Sequence, residues 1–409
     1  MSPSLYVHIP FCLKRCIYCD FVSGLYNPDR ASDYIEALKR EISNIPKEKS
    51  LSTLFIGGGT PTALPSDILS SLLNHIFTHF SFSPPLNKSA RLDSEGGQEG
   101  VETTIEANPG TVDTVKLKAV RSAGINRISI GVQSFDDDEL SFLGRIHTSE
   151  EAELAVHIAE NSGFENIGID LIYGIPGQDI NTWKMTLEKA VTLRPNHIST
   201  YELTVEKGTE LYKNINNPSL FLPLNKGRIG GVTLPAEDKA IEMYEHTIDY
   251  LTSAGYLHYE ISNFSLPGYQ CRHNLNYWDR GEYYGAGLGA HSFLNETRFH
   301  NTDNIDEYLE LISEDKSAVK GSESITGDMA LSEAIFLGLR KTGGINIETI
   351  SKRYNVKILN IFHKEIEDLR AAGLIQITSS ECAYETTMQL TRKGLVLSNE
   401  VFTKFIKLS

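Results

Sequence analysis

Three cysteines, Cys12, Cys16 and Cys19, are spaced C-x3-C-x2-C and follow directly on the short run 5–9. That run alternates and is β-branched in the manner of a strand, so the cysteines belong to the loop leaving a strand end. Three thiolates fall one short of a closed tetrahedral zinc site. They suit a cubane iron–sulfur cluster with three irons held by protein and the fourth open to a small ligand. A structural zinc site would need a fourth donor, for which His8, Cys271 and Cys382 are available. A disulfide fits less well. The cysteine count is five, three of them crowded into eight residues. No basic segment leads into an apolar export run, so the expected compartment is reducing and cytoplasmic.

Other polar residues stand where apolar runs end. Gly57-Gly58-Gly59-Thr60-Pro61-Thr62 follows the second run. Glycines there let a ligand approach backbone N–H and C=O groups. A tight strand-to-helix turn would use them too, and no Gly-Lys-Ser/Thr follows to make a phosphate loop. Glu106 ends the third run, Gln133 ends the fourth and Asp170 lies in the fifth. A buried polar side chain is costly unless paired, so each is either a satisfied structural group or a ligand-binding one. Four successive strand ends offering thiols, glycines, an acid and an amide read as one ligand site. Arg145, twelve residues beyond Gln133, is either a carboxylate clamp or a surface charge on the following helix.

The elements that must position these residues alternate along the first half of the chain. Candidate strands are 5–9, 53–56, 103–107, 127–131, 167–173 and 198–203. Between them apolar residues recur at helical spacing, as in Tyr34, Ile35, Leu38 and Ile42. Six β–α units imply a parallel sheet with right-handed crossovers. Six is fewer than eight, so the expected fold is α/β, a partial, open-sided (β/α)6 TIM-like barrel with its chemistry at the C-terminal strand ends.

Residues 83–100 are polar, with Pro and Gly, and read as a surface insertion. Residues 214–234 look like the exit from the barrel, and a helix is expected over 236–254. An aromatic- and glycine-rich block occupies 256–293. From about Met329 the order helix, helix, short strands, helix is that of a small winged-helix-like domain, with helices at 334–339, 347–354, 358–372 and 394–405 and strands at 374–378 and 389–391. The expected division is 1–215 for the barrel, 216–322 for an accessory region and 323–409 for the winged-helix-like domain. There is no internal repeat. The composition, 40% hydrophobic and 22% charged over 409 residues, is that of an ordinary soluble protein of two or three domains. A formal charge of −15, from 38 basic and 53 acidic residues, argues against a nucleic-acid binder. No stretch is apolar for long enough to span a membrane.

With an aromatic Tyr18 before its last cysteine, the cysteine motif resembles that of the radical S-adenosylmethionine superfamily. The run Tyr6-Val7-His8-Ile9-Pro10-Phe11-Cys12, the glycines at 57–59, Glu106-Ala107-Asn108-Pro109-Gly110 and residues 127–135 narrow the likeness. They resemble the oxygen-independent coproporphyrinogen III oxidase family, over nearly the whole chain to about Gly394. Within that family the chain sides with the HemW heme-chaperone subfamily. Asp20-Phe21 follows Cys19 where the oxidase pattern would need a cysteine at position 21. The oxidase's N-terminal extension is absent. His273-Asn274-Leu275-Asn276-Tyr277-Trp278 matches the subfamily's H-N-x-x-Y-W motif, and Cys271-Arg272 and residues 281–293 also look like it. Ile17 departs from the more usual Pro.

The resemblance implies a radical SAM type of barrel in which Cys12, Cys16 and Cys19 hold a [4Fe-4S] cluster and the open iron is chelated by S-adenosylmethionine. Tyr6 and Tyr18 would line the adenosyl side, and Gly58, Gly59 and Thr60 would meet the methionyl end. Glu106 and Arg145 would suit the amino and carboxylate groups, and Gln133 and Asp170 the ribose hydroxyls. His273 would be an axial ligand for heme, with Tyr277 and Trp278 against the macrocycle; Cys271 is the other iron-binding candidate. The implied function is a heme chaperone that passes heme to an acceptor such as a respiratory enzyme, its transfer gated through reduction or through dimerisation. Two rivals remain: a true coproporphyrinogen oxidase, and a structural or regulatory zinc protein.

Overall fold

The computed structural model describes residues 2–47, 50–82, 100–216, 234–380 and 385–407. The insertion expected at 83–100 and the barrel exit at 214–234 lie almost wholly outside the described residues, as does Cys382.

Strand β1 (Ser4–Ile9) runs into a two-residue strand β2 (Phe11–Cys12), which pairs in parallel with β3 (Gly24–Leu25). The cysteine loop is thereby closed at its base. Then follow α1 (Pro28–Ser43), β4 (Thr53–Gly58), α2 (Ser66–His79), β5 (Glu102–Ala107), α3 (Thr114–Ser122), β6 (Arg127–Gln133), α4 (Asp137–Leu143), α5 (Ser149–Asn161), β7 (Ile167–Tyr173), α6 (Ile180–Thr192), β8 (His197–Glu202) and α7 (Glu210–Asn216). Strands β1, β4, β5, β6, β7 and β8 are parallel neighbours in that order, so the six-unit partial barrel is present and open.

Alternation along a strand sends successive side chains to opposite faces. On β1, Leu5, Val7 and Ile9 are fully buried and join Leu54, Ile56, Ile128, Ile130, Ile169 and Leu171 in the main core. The helices meet them with Leu38, Leu72, Leu117, Val156 and Trp183. The remaining strand positions, among them Glu106, Ser129, Asp170 and Ser199, face the barrel interior.

The block 256–293, which has no clear period in the sequence, completes the sheet. After α8 (Glu237–Ser253), strands β9 (Leu257–Glu260) and β10 (Asn263–Ser265) add antiparallel to β8. Helix α9 (Arg272–Trp278) packs against the N-terminal ends of β4 and β5: the Glu102 carboxylate accepts the Arg272 and His273 N–H groups, both at 3.0 Å. Strand β11 (Tyr283–Ala286) then pairs in parallel with the free edge of β1. Beyond it come β12 (His291–Leu294), β13 (Thr297–Asn301) and, after α10 (Ile305–Ser313), β14 (Val319–Ser324), all antiparallel. The result is one open twelve-stranded sheet.

The C-terminal segment has its own core around Ile335, Leu339, Phe362, Met388 and Phe405. It comprises α11 (Gly327–Gly338), β15 (Ile345–Asn346), α12 (Ile347–Tyr354), α13 (Ile358–Ile361), α14 (His363–Ala371), β16 (Ile375–Ser380), β17 (Glu385–Leu390), α15 (Arg392–Val396) and α16 (Ser398–Lys404). The single helix expected over 358–372 is broken at Phe362, whose ring packs edge-on against Phe405 at 5.3 Å. The helix expected over 394–405 is likewise two helices meeting at Leu397. Among the described residues no helix is long and apolar enough to cross a membrane.

Glu102 is 1% exposed and faces the buried Arg127 as well as α9. Glu102→Ala should therefore uncap α9 and leave a buried cation short of a partner, at a cost of about 3 kcal/mol. Denaturant unfolding checks this, and an unchanged midpoint would refute it.

Candidate functional site

A cavity of about 750 Å³ opens at the C-terminal ends of the barrel strands. Cys12, Cys16 and Cys19 line it, with Tyr18, Gly58, Gly59, Thr60, Glu106, Gln133, Arg145 and Asp170. Every residue assigned above to the cluster or to S-adenosylmethionine is thus brought together, Tyr6 excepted. The backbone explains how. Gly59 N–H donates to Ile9 O and Thr60 N–H to Phe11 O, both at 2.8 Å, so the glycine run is stitched to the start of the cysteine loop. A Cβ on Gly59 would lie 2.8 Å from Phe11 O and 3.0 Å from Cys12 Sγ, and one on Gly57 2.7 Å from Glu106 Oε2. Only glycine lets these three strand ends approach. Gln133 reaches the cavity at a bulge of β6 against β7, with φ of 70°, an unusual conformation for a non-glycine residue.

Charge is concentrated here. Glu106 accepts the Gly58 N–H at 3.0 Å. Burial, then the negative charge of Asp170, raise its carboxyl to about 8. Burial also raises Asp170, against hydrogen bonds from Ser199 and Ser129 and the charge of Arg127. Arg145 donates to Gly131 O at 2.6 Å and to Cys16 Sγ at 3.3 Å, while its Nε, buried, has no partner. Burial pushes the Cys12 and Cys19 thiols up. Among the described residues no three His, Cys, Asp or Glu side chains converge on a single-ion position. Three thiols facing one cavity without converging suit a cluster, which takes each thiolate on a separate iron. His8 is not available as a zinc ligand: its Nε2 donates to Val22 O at 2.8 Å and its Nδ1 accepts from Tyr6 Oη at 3.0 Å. The donor set fits a cluster and a ligand carrying both an ammonium and a carboxylate: a carboxylate in need of a cation, and an arginine with an unused N–H.

Some interior residues escaped the sequence reading. Arg127, Ser129, His197, Ser199 and Tyr201 also line the cavity. Ser129 Oγ donates to Asp170 at 3.2 Å. Burial disfavours the Arg127 charge, but Cys271, Glu102, Tyr259 and Asp170 more than offset it and hold the group above the ordinary arginine value. The same signal that marked Glu106, a polar residue alternating with isoleucines, was present for Ser129 and Ser199.

Tyr6 and His273 lie elsewhere. Tyr6 lines a second cavity of about 570 Å³, with its phenol close enough to Glu106 of the first to feel that carboxylate's charge. Its ring stacks on Phe55 with centroids 6.2 Å apart. Tyr277, Trp278, Tyr283 and Phe293 give this second cavity its aromatic walls, and Asp20 and Phe21 of the cysteine loop line both cavities. His273 sits behind Tyr277 and is 1% exposed. Thr53 Oγ1 donates to Ser4 Oγ at 2.8 Å, so it accepts from His273 Nδ1 at 2.7 Å; Nε2 then accepts from Tyr277 Oη at 2.8 Å. Burial, with the Arg127 charge second, lowers the imidazole to about 3. In this arrangement His273 has no free nitrogen for iron. Cys271 is fully buried, its thiol raised to about 12 by burial and then by Glu102.

Comparison with known proteins gives a consistent picture. Residues 6–190 match the model of the Radical SAM superfamily, and residues 325–397 that of the HemN C-terminal domain. A Bacillus subtilis protein named heme chaperone HemW is 35% identical over 98% of this chain and 99% of its own. The Lactococcus lactis protein of that name is 36% identical over 98% and 97%, and the Escherichia coli one 38% identical over 70% and 69%. The fold is similar to that of Escherichia coli coproporphyrinogen III oxidase (HemN), with a TM-score of 0.79 and 23% identity over 99% of this chain and 90% of that one.

Two outcomes follow from the geometry. Gly59→Ala should displace Cys12 Sγ, so anaerobically reconstituted protein should hold markedly less iron and sulfide while remaining folded. Wild-type iron content would refute this. Glu106, raised from 4.5 to about 8, is protonated in the folded chain where the unfolded chain is ionised. Its contribution to stability is therefore whole below about pH 4.5 and is lost as pH rises through about 8. Glu106→Gln should flatten that decline in urea midpoints measured without S-adenosylmethionine; parallel profiles would contradict it.

Proposed function

The chain belongs to the HemW family of radical SAM proteins, and from that premise we propose that it binds heme and passes it to an acceptor protein. Membership implies a [4Fe-4S] cluster and S-adenosylmethionine. Cys12, Cys16 and Cys19 would hold the cluster, which when bound supplies one-electron chemistry. Glu106 would face the ammonium of S-adenosylmethionine, with the unpaired Arg145 Nε toward its carboxylate. Gln133 and Asp170 would meet the ribose hydroxyls, and Tyr18 the adenosyl side. The glycine run keeps side chains out of the approach, while its N–H groups at Gly58, Gly59 and Thr60 hold Glu106, Ile9 and Phe11 in place around the site.

The observation that carries the heme reading is the second cavity. It is largely apolar, it takes Tyr277 and Trp278 from the H-N-x-x-Y-W block, and Arg298 stands at its wall. A flat macrocycle with acidic side chains asks for aromatic faces and a guanidinium. A coproporphyrinogen oxidase activity is the second reading, favoured by the gathering in the first cavity of every candidate S-adenosylmethionine residue but Tyr6. Phe21, where the oxidase pattern would have a cysteine, argues against it.

Anaerobically reconstituted protein titrated with hemin should bind one heme per chain and deliver it to an apo-acceptor. Trp278→Ala should weaken binding by about tenfold, the loss of one aromatic wall. Coproporphyrinogen turnover without stoichiometric heme would support the oxidase instead.

A further inference from the structure

The imidazole that meets iron need not be the one in the H-N-x-x-Y-W block, because the second cavity contains another. His291 and Phe293 alternate on β12 and therefore share a face, and both line that cavity. Of the side chains there that can ligate iron, four are already engaged, among them Tyr283, hydrogen-bonded with Arg298. Asp20 belongs to the cysteine loop that both cavities share. His8 has both nitrogens bonded, to Val22 O and Tyr6 Oη. Tyr6 is used by that same pair, and Tyr277 Oη is bonded to His273. His291 is exposed, and among the described residues its ring nitrogens have no hydrogen-bond partner. Its ring is held by stacking on His300, with centroids 5.3 Å apart and planes 27° from parallel.

The main chain beneath it is fixed as well. A Cβ on Gly285 of β11 would come within 1.9 Å of the His291 carbonyl oxygen, and Gly285 N–H donates to Ser292 Oγ at 2.8 Å. Only glycine permits this close pairing of β11 with β12. Partial desolvation of its stacked ring, then His300 and Arg298, lower the His291 pKa from its ordinary value. The neutral ring, which is the form that coordinates a metal, therefore prevails at neutral pH.

We propose that His291 is the axial ligand of the heme iron, with the macrocycle lying in the second cavity against Tyr277, Trp278 and Phe293. This rests on the heme-chaperone reading. His273 then acts through Tyr277: its Nε2, fixed by the Nδ1 bond to Thr53, accepts from and orients the phenol that forms one wall, and it does not touch iron. Arg298, a third exposed and tied to Glu333 at 2.8 Å, faces the same cavity and suits a propionate.

The test uses full-length protein with its cluster reconstituted, and the probes are hemin and metal-free protoporphyrin IX. His291→Ala should change the heme absorption and electron paramagnetic resonance spectra and weaken hemin binding by about tenfold or more. It should leave metal-free porphyrin binding within twofold of wild type, since no metal is there to ligate. Free imidazole should restore the wild-type heme spectrum in His291→Ala. His273→Ala should keep the iron spectrum type while weakening both porphyrins alike. A wild-type spectrum and hemin affinity in His291→Ala, with His273→Ala changing the iron signal, would overturn the assignment and leave the heme reading standing. Failure of the wild-type protein to bind hemin stoichiometrically would instead overturn the heme reading itself.

Discussion

Two carboxyl groups and two guanidiniums share the inside of one barrel, and the balance of burial and charge among them is the condition on which site and fold both rest. Glu106 and Asp170 face the cavity from neighbouring regions of the sheet, each raised by burial. Arg145 lies over the cysteine loop and Arg127 deeper, where it is 2% exposed. Charges held out of water must be paired or they cost several kcal/mol each, roughly the whole margin of a domain. Arg127 makes the network extend beyond the site: Asp170 lies on one side of it and Glu102 on another. Glu102 in turn holds the first N–H groups of α9. The helix that carries Tyr277 and Trp278 is thus anchored to the same electrostatic framework that shapes the first cavity.

That linkage explains which parts of the molecule were legible in the sequence. The six parallel strands are apolar runs with a period of two, and their polar interruptions fell at one end, so β1 and β4 to β8 were found to within about two residues. The first cavity was legible for the same reason, because strand ends in a parallel sheet are neighbours whatever the loops do. Arg127 does not stand out in the sequence, because a charged residue opening a strand looks like a solvent boundary. Its burial depends on Glu102 and on α9, which comes far later in the chain.

The second cavity was not legible, and the cause is physical. It exists only where β1 meets β11, a pairing of residues 4–7 with residues 283–286. No local period announces such a contact. The side to which Tyr6 turns depends on whether the barrel stays open at β1, and the glycines at 285, 287 and 289 hide the strand character of their surroundings. His291 was invisible for that reason, whereas His273 stood out because it lies in a motif. The cysteine loop joins the two spaces: Asp20 and Phe21 stand between them, so whatever orders that loop also sets part of the outline of the aromatic cavity.

The parallel pairing of β1 with β11 has a further consequence, for the order of assembly. On a ribosome the six barrel strands emerge first, and each finds its neighbour as soon as the next unit is complete. The outer edge of β1 has no such neighbour until residues 283–286 appear. Until then the nascent sheet carries an unpaired edge at its very first strand, the feature that most invites wrong association. The aromatic cavity cannot exist in that interval, because one of its walls has yet to be made. The cysteine loop is therefore complete in covalent terms well before the aromatic space behind it can close.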